Sequence, residues 1–308
     1  MTFTIPADGP LAFPITPLRT DLSIDLSRFE EHVAWMVGQG APALFVACGT
    51  GEFASLTASE IGELASVAVG ASDGAPVYVG AGQTLPTAVA CARYAQDAGA
   101  AGLLLFPPYL REFDAAGLIG YVRAVAGSTA LPIVLYQRDG IAFEPEVLGK
   151  LLDLPNIVGL KDGLGDVERM QRIVHSVGDR LAYFNGMPTA ETYQPSYAAA
   201  GVPHYSSAVY NFVPEVSWAF WRAQHNGDGD QVAKLIQSFF VPLAELRRKV
   251  KGYAIALVKA GVTIRRGYSG TVRPPLVEAT AEHRRQLETL IVHALEIVEP
   301  GAMKATPY

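Results

Sequence analysis

The sequence predicts an α/β protein, a (β/α)8 barrel followed by a C-terminal helical extension. Eight short apolar runs recur about 20–35 residues apart, with helical patterns between them. The runs are continuously apolar, which is typical of parallel strands covered on both faces. A length of 308 residues suits a single barrel. A doubly wound open sheet is the alternative arrangement of the same elements.

The predicted strands follow the apolar runs in chain order, at 11–16, 43–48, 76–81, 102–107, 132–137, 156–161, 181–186 and 202–207. The helix between the first two strands places Phe29 and Val33 on one face and ends near Gly40, a suitable C-cap residue. The next helix is predicted to begin with a capping box, in which Thr57 is the N-cap and Glu60 follows three residues later.

After about residue 210 only helical patterns remain, at 213–227, 230–250, 252–261 and 282–298. One of these helices completes the barrel. We therefore predict a barrel over residues 1–225 and a C-terminal helical extension, packed on it, over residues 226–308. No Gly/Ser linker separates the two parts, so they are expected to form one continuous body.

Composition excludes several classes of partner. The formal net charge is -6 and no basic run stands out, so we expect no nucleic-acid partner. No apolar segment approaches the ~18 residues of a membrane span, and the start of the chain lacks a signal-peptide pattern. Cys48 and Cys91 have no metal-type spacing, and the six histidines are scattered. The expectation is a cytoplasmic protein with no metal site.

The C-terminal ends of barrel strands are where active sites form, and a lysine ends the sixth predicted strand. Burial there would lower the pKa of Lys161, and a neutral amine can attack a ketone to form a Schiff base. Tyr136 ends the fifth strand, about 4.8 Å away across the sheet, where a phenol can relay protons. Alternatively, Lys161 extends to solvent or pairs with Asp162, and Tyr136 merely bonds a carbonyl.

The stretch "CGTGEFASL" (48–56) matches the glycine pattern of a dinucleotide site. That motif should open a helix directly, but the capping box places the helix start near Thr57, with five residues between it and Gly51. The glycines therefore belong to a loop, whose backbone N–H groups suit a carboxylate. An NAD-dependent oxidoreductase is the disfavoured alternative, and no cofactor is expected.

Four motifs together resemble the dihydrodipicolinate synthase / N-acetylneuraminate lyase superfamily: "GTGE" (49–52), "PPY" (107–109), the tyrosine of "YQR" (136–138), and "GLKD" (159–162). The resemblance runs from "FPITPL" (13–18) to "RPPL" (273–276). Within the superfamily, "CGTGEF", "YQR", "GMPTAE" (186–191) and "YSSAVYNF" (205–212) are most similar to the 5-dehydro-4-deoxyglucarate dehydratase family. This chain has Gln137 where that family has asparagine, a departure beside Arg138.

The resemblance implies a Schiff-base enzyme without a cofactor that converts 5-dehydro-4-deoxy-D-glucarate to 2,5-dioxopentanoate, CO2 and water. It implies that Lys161 and Tyr136 are catalytic. It implies further that the sugar acid is held by Gly49, Thr50, Arg138, Gly186, Ser206 and Ser207. Two interpretations of Arg138 are equally favoured. It binds the carboxylate of the sugar acid that is remote from the ketone, or it forms a surface salt bridge.

The resemblance also implies a homotetramer, in which Tyr109 acts in its own site, reaches a neighbouring subunit or is structural. A class I aldolase or synthase acting on pyruvate and an aldehyde is the alternative activity. A non-catalytic barrel that senses a sugar acid is a further alternative. Such a sensor would be expected to have lost the lysine or the tyrosine.

Overall fold

A computed structural model describes residues 8–268 and 270–298 of the chain. Within these residues eight parallel strands close into a barrel in sequence order, which confirms the predicted fold class and excludes the open sheet. The strands are β1 (Leu11–Ala12), β2 (Leu44–Val46), β3 (Val77–Gln83), β4 (Gly102–Pro108), β5 (Ile133–Gln137), β6 (Ile157–Asp162), β7 (Ala182–Asn185) and β8 (His204–Ser207).

One helix follows each strand. These eight helices are α1 (Leu26–Gly38), α2 (Ala58–Ala71), α3 (Leu85–Asp97), α4 (Ala115–Ala126), α5 (Pro145–Gly149), α6 (Val167–Val177), α7 (Gln194–Ala199) and α8 (Pro214–His225). The C-terminal helices are α9 (Gly229–Leu235), α10 (Val241–Arg248), α11 (Tyr253–Arg266) and α12 (Ala281–Val298), with a π-helical turn over Ile236–Phe240 between α9 and α10. No helix in the described ranges is long and apolar enough to cross a membrane.

The predicted start of α2 is confirmed in atomic detail. The Thr57 hydroxyl accepts a hydrogen bond from the Glu60 backbone N–H at 3.2 Å, and the Glu60 carboxylate accepts one from the Thr57 N–H at 2.9 Å. Two otherwise unsatisfied N–H groups at the helix start are thus paired. Gly40, just beyond α1, has a φ of 84°, a left-handed conformation that glycine adopts without strain.

The first strand is shorter than the sequence predicts, because ladder pairing stops at Ala12 rather than at residue 16. Pro14 has no N–H to donate to a neighbouring strand. The N–H of Ile15 donates instead to the Asn211 side chain at 2.9 Å, and the Thr16 hydroxyl donates to the Gly51 carbonyl at 2.7 Å. This segment therefore ends as an irregular loop that is tied to the β2 and β8 loops.

Two apolar clusters stabilise the molecule. The first fills the barrel and the layer under α1–α6, and it includes a stack of Phe13, Phe45 and Tyr78 with successive ring centroids 4.7 Å apart. The second joins α8 to α9–α12, and Phe220 of α8 meets Phe240 at a centroid distance of 5.2 Å. The helix that closes the barrel thus shares its core with the C-terminal helices. The division at residue 225 stays a prediction.

Candidate active site

A cavity of about 900 Å³ lies at the C-terminal mouth of the barrel. It is lined by the loops that follow the strands and by parts of the C-terminal helices. The structure brings all but one of the sequence-predicted site residues to this cavity, namely Gly49, Thr50, Tyr109, Tyr136, Arg138, Lys161, Gly186 and Ser206. Ser207 does not line it.

Lys161 stands at the C-terminal end of β6, directly paired in register with Tyr136 of β5. Its Nζ atom lies 4.0 Å from the ring centroid of Phe13 and 4.6 Å from that of Tyr136, and only 6% of the residue is exposed. The pKa of Lys161 is lowered to about 7, chiefly by burial and to a smaller extent by the positive charge of Arg138, while Cys48 acts in the opposite direction. Aromatic faces thus replace water around an amine that is substantially neutral near pH 7.

Lys161 is not paired with Asp162, because neighbouring strand residues face opposite sides of the sheet. The Asp162 carboxylate points away from the cavity and accepts hydrogen bonds from Gln137 Nε2 at 2.7 Å and from the Tyr197 hydroxyl. Within the described residues, no carboxylate lies within salt-bridge distance of Lys161 Nζ. The sequence alternative of a Lys161–Asp162 pair is therefore not realised.

Gln137, the residue that departs from the family pattern, also faces away from the cavity. Its Oε1 accepts the Phe143 N–H at 3.0 Å while its Nε2 donates to Asp162. The side chain is fully buried between the barrel and the surrounding helices. The departure therefore affects the support of β5 and β6, not the cavity surface itself.

Tyr136 is fixed over the lysine by a hydrogen bond, since its hydroxyl donates to the Gly186 carbonyl at 3.2 Å. Burial raises the pKa of Tyr136 to about 12, against the opposing effect of Arg138, so the phenol keeps its proton at neutral pH. Gly186 is sterically required, because a Cβ at that position would lie 2.5 Å from Lys161 Cε. The phenol, the amine and the glycine thus form one packed unit.

The loop after β2 contributes Gly49 and Thr50 to the cavity lining. The carbonyls of Cys48 and Gly49 accept from the N–H groups of Phe53 and Glu52, at 3.1 and 3.2 Å, which folds the loop back on itself. Within the described part of the chain, the N–H groups of Gly49 and Thr50 donate to no protein acceptor. Helix α2 begins only at Ala58, so these N–H groups belong to a loop and suit an anion.

Arg138 leans over the same loop. Its guanidinium lies 5.3 Å from the Tyr136 ring centroid and 5.6 Å from that of Phe106, and it donates to the neighbouring Asp139 at 2.7 Å. A Cβ added to Gly49 would be 3.6 Å from Arg138 Nη1. The arginine is therefore both a member of a salt bridge and a neighbour of the free N–H groups.

The two serines at the end of β8 face opposite directions. Ser206 lines the cavity, and its hydroxyl donates to the Asn185 carbonyl at 3.3 Å. Ser207 is fully buried behind the cavity wall, donates to Glu191 at 2.7 Å and lies 2.9 Å from the Ser217 hydroxyl. Tyr109 is 79% exposed at the rim of the cavity, where its N–H donates to the Gln83 carbonyl at 2.7 Å.

Sequence reasoning missed several residues around the cavity. Glu52 of the β2 loop forms a fully buried ion pair with Lys259 of α11, and Lys259 also donates to the Thr271 carbonyl at 2.7 Å. Glu191 is fully buried, with one carboxylate oxygen that has no hydrogen-bond partner, and burial raises its pKa to about 7. The sequence could have indicated that Lys259 is a buried charge, because it interrupts the apolar run "AIALVKAG".

Arg247 of α10 was missed as well, and it reaches the cavity wall beside Thr189. It had no local signal, because tertiary packing alone brings α10 to the barrel mouth. No group of three or more potential metal-ligating side chains occurs within the ranges 8–268 and 270–298.

Comparison with known proteins gives concordant matches over nearly the whole chain. The model of the dihydrodipicolinate synthetase family matches residues 6–294. A Streptomyces coelicolor protein named probable 5-dehydro-4-deoxyglucarate dehydratase 1 is 48% identical over 305 residues, which cover 97% of this chain and 96% of that protein. A Rhizobium rhizogenes protein named probable 5-dehydro-4-deoxyglucarate dehydratase is 41% identical, with 92% and 94% covered.

Among solved structures, a dihydrodipicolinate synthase from Bacillus clausii superposes with a TM-score of 0.86 at 28% identity. The match covers 93% of this chain and 97% of that one. The barrel and its C-terminal helices are thus similar as a whole to a solved protein.

Proposed function

Because the chain belongs to the dihydrodipicolinate synthetase family, we propose that it converts 5-dehydro-4-deoxy-D-glucarate to 2,5-dioxopentanoate, CO2 and water. The reaction proceeds through a Schiff base on Lys161. The names of relatives that are 39–48% identical over most of the chain support this substrate and this decarboxylating hydro-lyase activity.

The observation that supports the proposal most directly is the buried, unpaired environment of the Lys161 amine. Its amine is buried against Phe13 and Tyr136 without a carboxylate partner, and its pKa is lowered to about 7 by burial. A neutral amine is the form that attacks a ketone. An ion-paired or exposed lysine would remain protonated and unreactive at the same pH.

The chemistry requires only the lysine, proton transfers and binding groups. Lys161 condenses with the substrate ketone and expels water, giving an iminium that acidifies the adjacent CH2. Loss of that proton gives an enamine, which expels the hydroxyl one carbon further on. The conjugated iminium then accepts the electron pair released when the distal carboxylate leaves as CO2. Protonation of the resulting dienamine at carbon leaves an enol, which tautomerises to the terminal aldehyde as carbon gains a proton and the hydroxyl loses one. Hydrolysis of the imine then releases the dioxo acid and regenerates the amine.

We assign roles by position in the cavity. The free N–H groups of Gly49 and Thr50 bind the carboxylate next to the ketone, and the adjacent Arg138 adds positive charge at that end. Tyr136, hydrogen-bonded to the Gly186 carbonyl and packed against Lys161, relays protons. The Ser206 hydroxyl is placed to bind a substrate hydroxyl.

We also propose that the protein is a cytoplasmic homotetramer. Tyr109 and Leu110 are 79% and 64% exposed beside the cavity rim, and large apolar side chains left open in one subunit favour burial against a second. Tyr109 thereby contributes to an interface next to the site. Cys48 and Cys91 are free and buried, as expected in a reducing compartment.

The first test combines trapping with product analysis. Incubation with 5-dehydro-4-deoxyglucarate and borohydride should add the reduced substrate to Lys161, as located by mass spectrometry, and the untrapped reaction should release CO2. A Lys161→Met variant should show neither. Trapping with pyruvate but not with the sugar acid would favour the aldolase or synthase alternative. If neither the sugar acid nor pyruvate forms an adduct, the lysine mechanism is refuted.

A further inference from the structure

Among the described residues that line the cavity, one cationic side chain has no carboxylate partner and takes no part in the proposed steps. Among the described residues, the cationic side chains that line the cavity are Arg111, Arg138, Lys161 and Arg247. Arg138 and Arg111 both approach the Asp139 carboxylate, at 2.7 and 3.8 Å. Arg247, by contrast, has no carboxylate within 4.0 Å in the described structure, and its Nη1 donates to the Thr189 hydroxyl.

Arg247 is held in place by its helix. Leu243 and Arg247 lie four residues apart on α10, so they share one face, and both line the cavity. Leu246 is buried in the C-terminal apolar cluster and Ala244 is also buried, so this side of the helix is anchored by packing. The guanidinium is therefore directed into the cavity by packing, before any ligand is bound.

Arg247 forms no ion pair within the described residues, although Tyr193 and Glu191 act electrostatically to stabilise its charge. Arg247 is partly buried, and burial is the main reason that its pKa lies below the ordinary value. The carboxyl group that acts on it electrostatically is that of Glu191, which is itself fully buried with a pKa raised to about 7 and is therefore largely neutral below that pH. An unpaired, partly desolvated guanidinium favours an anionic ligand.

The position of Arg247 fits the far end of a substrate attached to Lys161. Gly186 packs against the Lys161 side chain, and Thr189, three residues later, binds Arg247. Because consecutive Cα atoms are about 3.8 Å apart, the Cα atoms of Gly186 and Thr189 are at most about 11 Å apart. The loop with the Gly49 N–H groups follows β2, and β8 and β1 separate it from β7. The two anion-binding groups thus lie at different points around the barrel mouth.

We propose that Arg247, with Thr189, binds the substrate carboxylate remote from the ketone and so selects dicarboxylic 2-oxo acids over monocarboxylic ones. This inference rests on the proposed function, because it concerns the same cavity and the same lysine. Arg247 contacts the leaving carboxylate in the ground state. An ion-paired carboxylate does not leave more readily as CO2, so loss of Arg247 should raise KM more than it lowers kcat.

A pair of trapping probes tests the proposal without relying on dehydration. The six-carbon acid 2-oxoadipate carries a carboxylate at its far end, whereas 2-oxohexanoate has a methyl group there, and neither has a hydroxyl to expel. The concentration that half-saturates borohydride trapping on Lys161 is measured for both. In Arg247→Gln the half-saturating concentration of 2-oxoadipate should rise about 30- to 100-fold, because a charged, hydrogen-bonded pair with its far carboxylate is lost. The half-saturating concentration of 2-oxohexanoate, which has no such carboxylate, should stay within about 3-fold of the wild-type value.

Arg248→Gln is the matched control, because it removes the same charge from the adjacent, exposed position. It should leave both half-saturating concentrations unchanged. Arg247→Lys keeps the charge but not the planar fork and should weaken 2-oxoadipate less than Arg247→Gln does. The proposal would be overturned if Arg247→Gln and Arg247→Lys change the half-saturating concentrations of both probes equally, or change neither. Arg247 would then only stabilise the loop that contains Thr189. A wild-type protein that prefers 2-oxoadipate but releases no CO2 from the sugar acid would refute the proposed function alone.

Discussion

Replacing Lys161 by methionine should change how the stability of the protein depends on pH. The amine loses its proton near pH 7 in the folded chain, because burial disfavours its charge, and near its ordinary pKa of 10.5 in the unfolded chain. Between these values the unfolded chain binds more protons, so the free energy of unfolding rises with pH. Methionine has a similar length and no charge, and it removes this contribution.

The magnitude follows from the two pKa values. At pH 7 the buried lysine destabilises the fold by about 4 kcal/mol relative to a neutral side chain, and at pH 9 by about 2 kcal/mol. The wild-type free energy of unfolding should therefore rise about 2 kcal/mol more than that of Lys161→Met between these pH values. Residues that titrate equally in both proteins cancel in this difference.

The assay is denaturant unfolding of both proteins at pH 7 and pH 9, at one protein concentration because the chain is proposed to self-associate. Lys150→Met, at an exposed position, serves as the control and should follow the wild type. A wild-type minus Lys161→Met difference that changes by less than about 0.5 kcal/mol between the two pH values would refute the argument that burial makes this lysine nucleophilic.

Four further changes test other parts of the molecule. Tyr136→Phe should lower kcat for CO2 release about 10²- to 10⁴-fold, since a proton relay is lost, while thermal unfolding stays close to the wild type; an unchanged kcat would exclude the relay. Lys259→Met should lower the free energy of unfolding by about 3–5 kcal/mol by leaving the buried Glu52 carboxylate unpaired, and adding Glu52→Gln should restore part of it; additive losses would argue against the pair. Glu191→Gln should raise the free energy of unfolding by about 3 kcal/mol at pH 8 and by little at pH 4, because the raised pKa of Glu191 makes the folded state lose stability as pH rises from 4.5 through 7; a gain independent of pH would contradict this. Gln137→Asn should reduce the melting temperature but leave KM unchanged, because the side chain faces away from the cavity. A changed KM with an unchanged melting temperature would show that Gln137 acts on substrate binding and not on the support of the strands.

The barrel could be predicted from the sequence because its signal is local and repeated. Each strand is a continuous apolar run, and parallel strands in sequence order fix which strand ends are neighbours. That order alone placed Tyr136 beside Lys161, and the register confirms the pair. The predicted capping box at Thr57 is confirmed for the same reason, since helix caps depend on residues three positions apart.

Side-chain direction and distant packing were not available from the sequence in the same way. The alternation along β8 that turns Ser207 away from the cavity depends on the exact register of a four-residue strand. Phe13, which lies against Lys161 Nζ, was assigned only to an apolar run. Arg247 belongs to a helix far along the chain, and no local pattern distinguishes it from its exposed neighbour Arg248.

Two lysines show why an apolar run that contains a charge is an ambiguous signal. Lys161 follows Leu160 and Lys259 follows Val258, so both interrupt buried segments. Burial lowers the pKa of Lys259 as well, but the Glu52 carboxylate opposes this effect, and the pair ties α11 to the β2 loop. Lys161 faces two aromatic rings and an open cavity, and no carboxylate of the described residues pairs with it. Burial alone therefore does not make a lysine reactive; it must also lack a partner, and the barrel mouth is the place in this fold where the described structure meets both conditions.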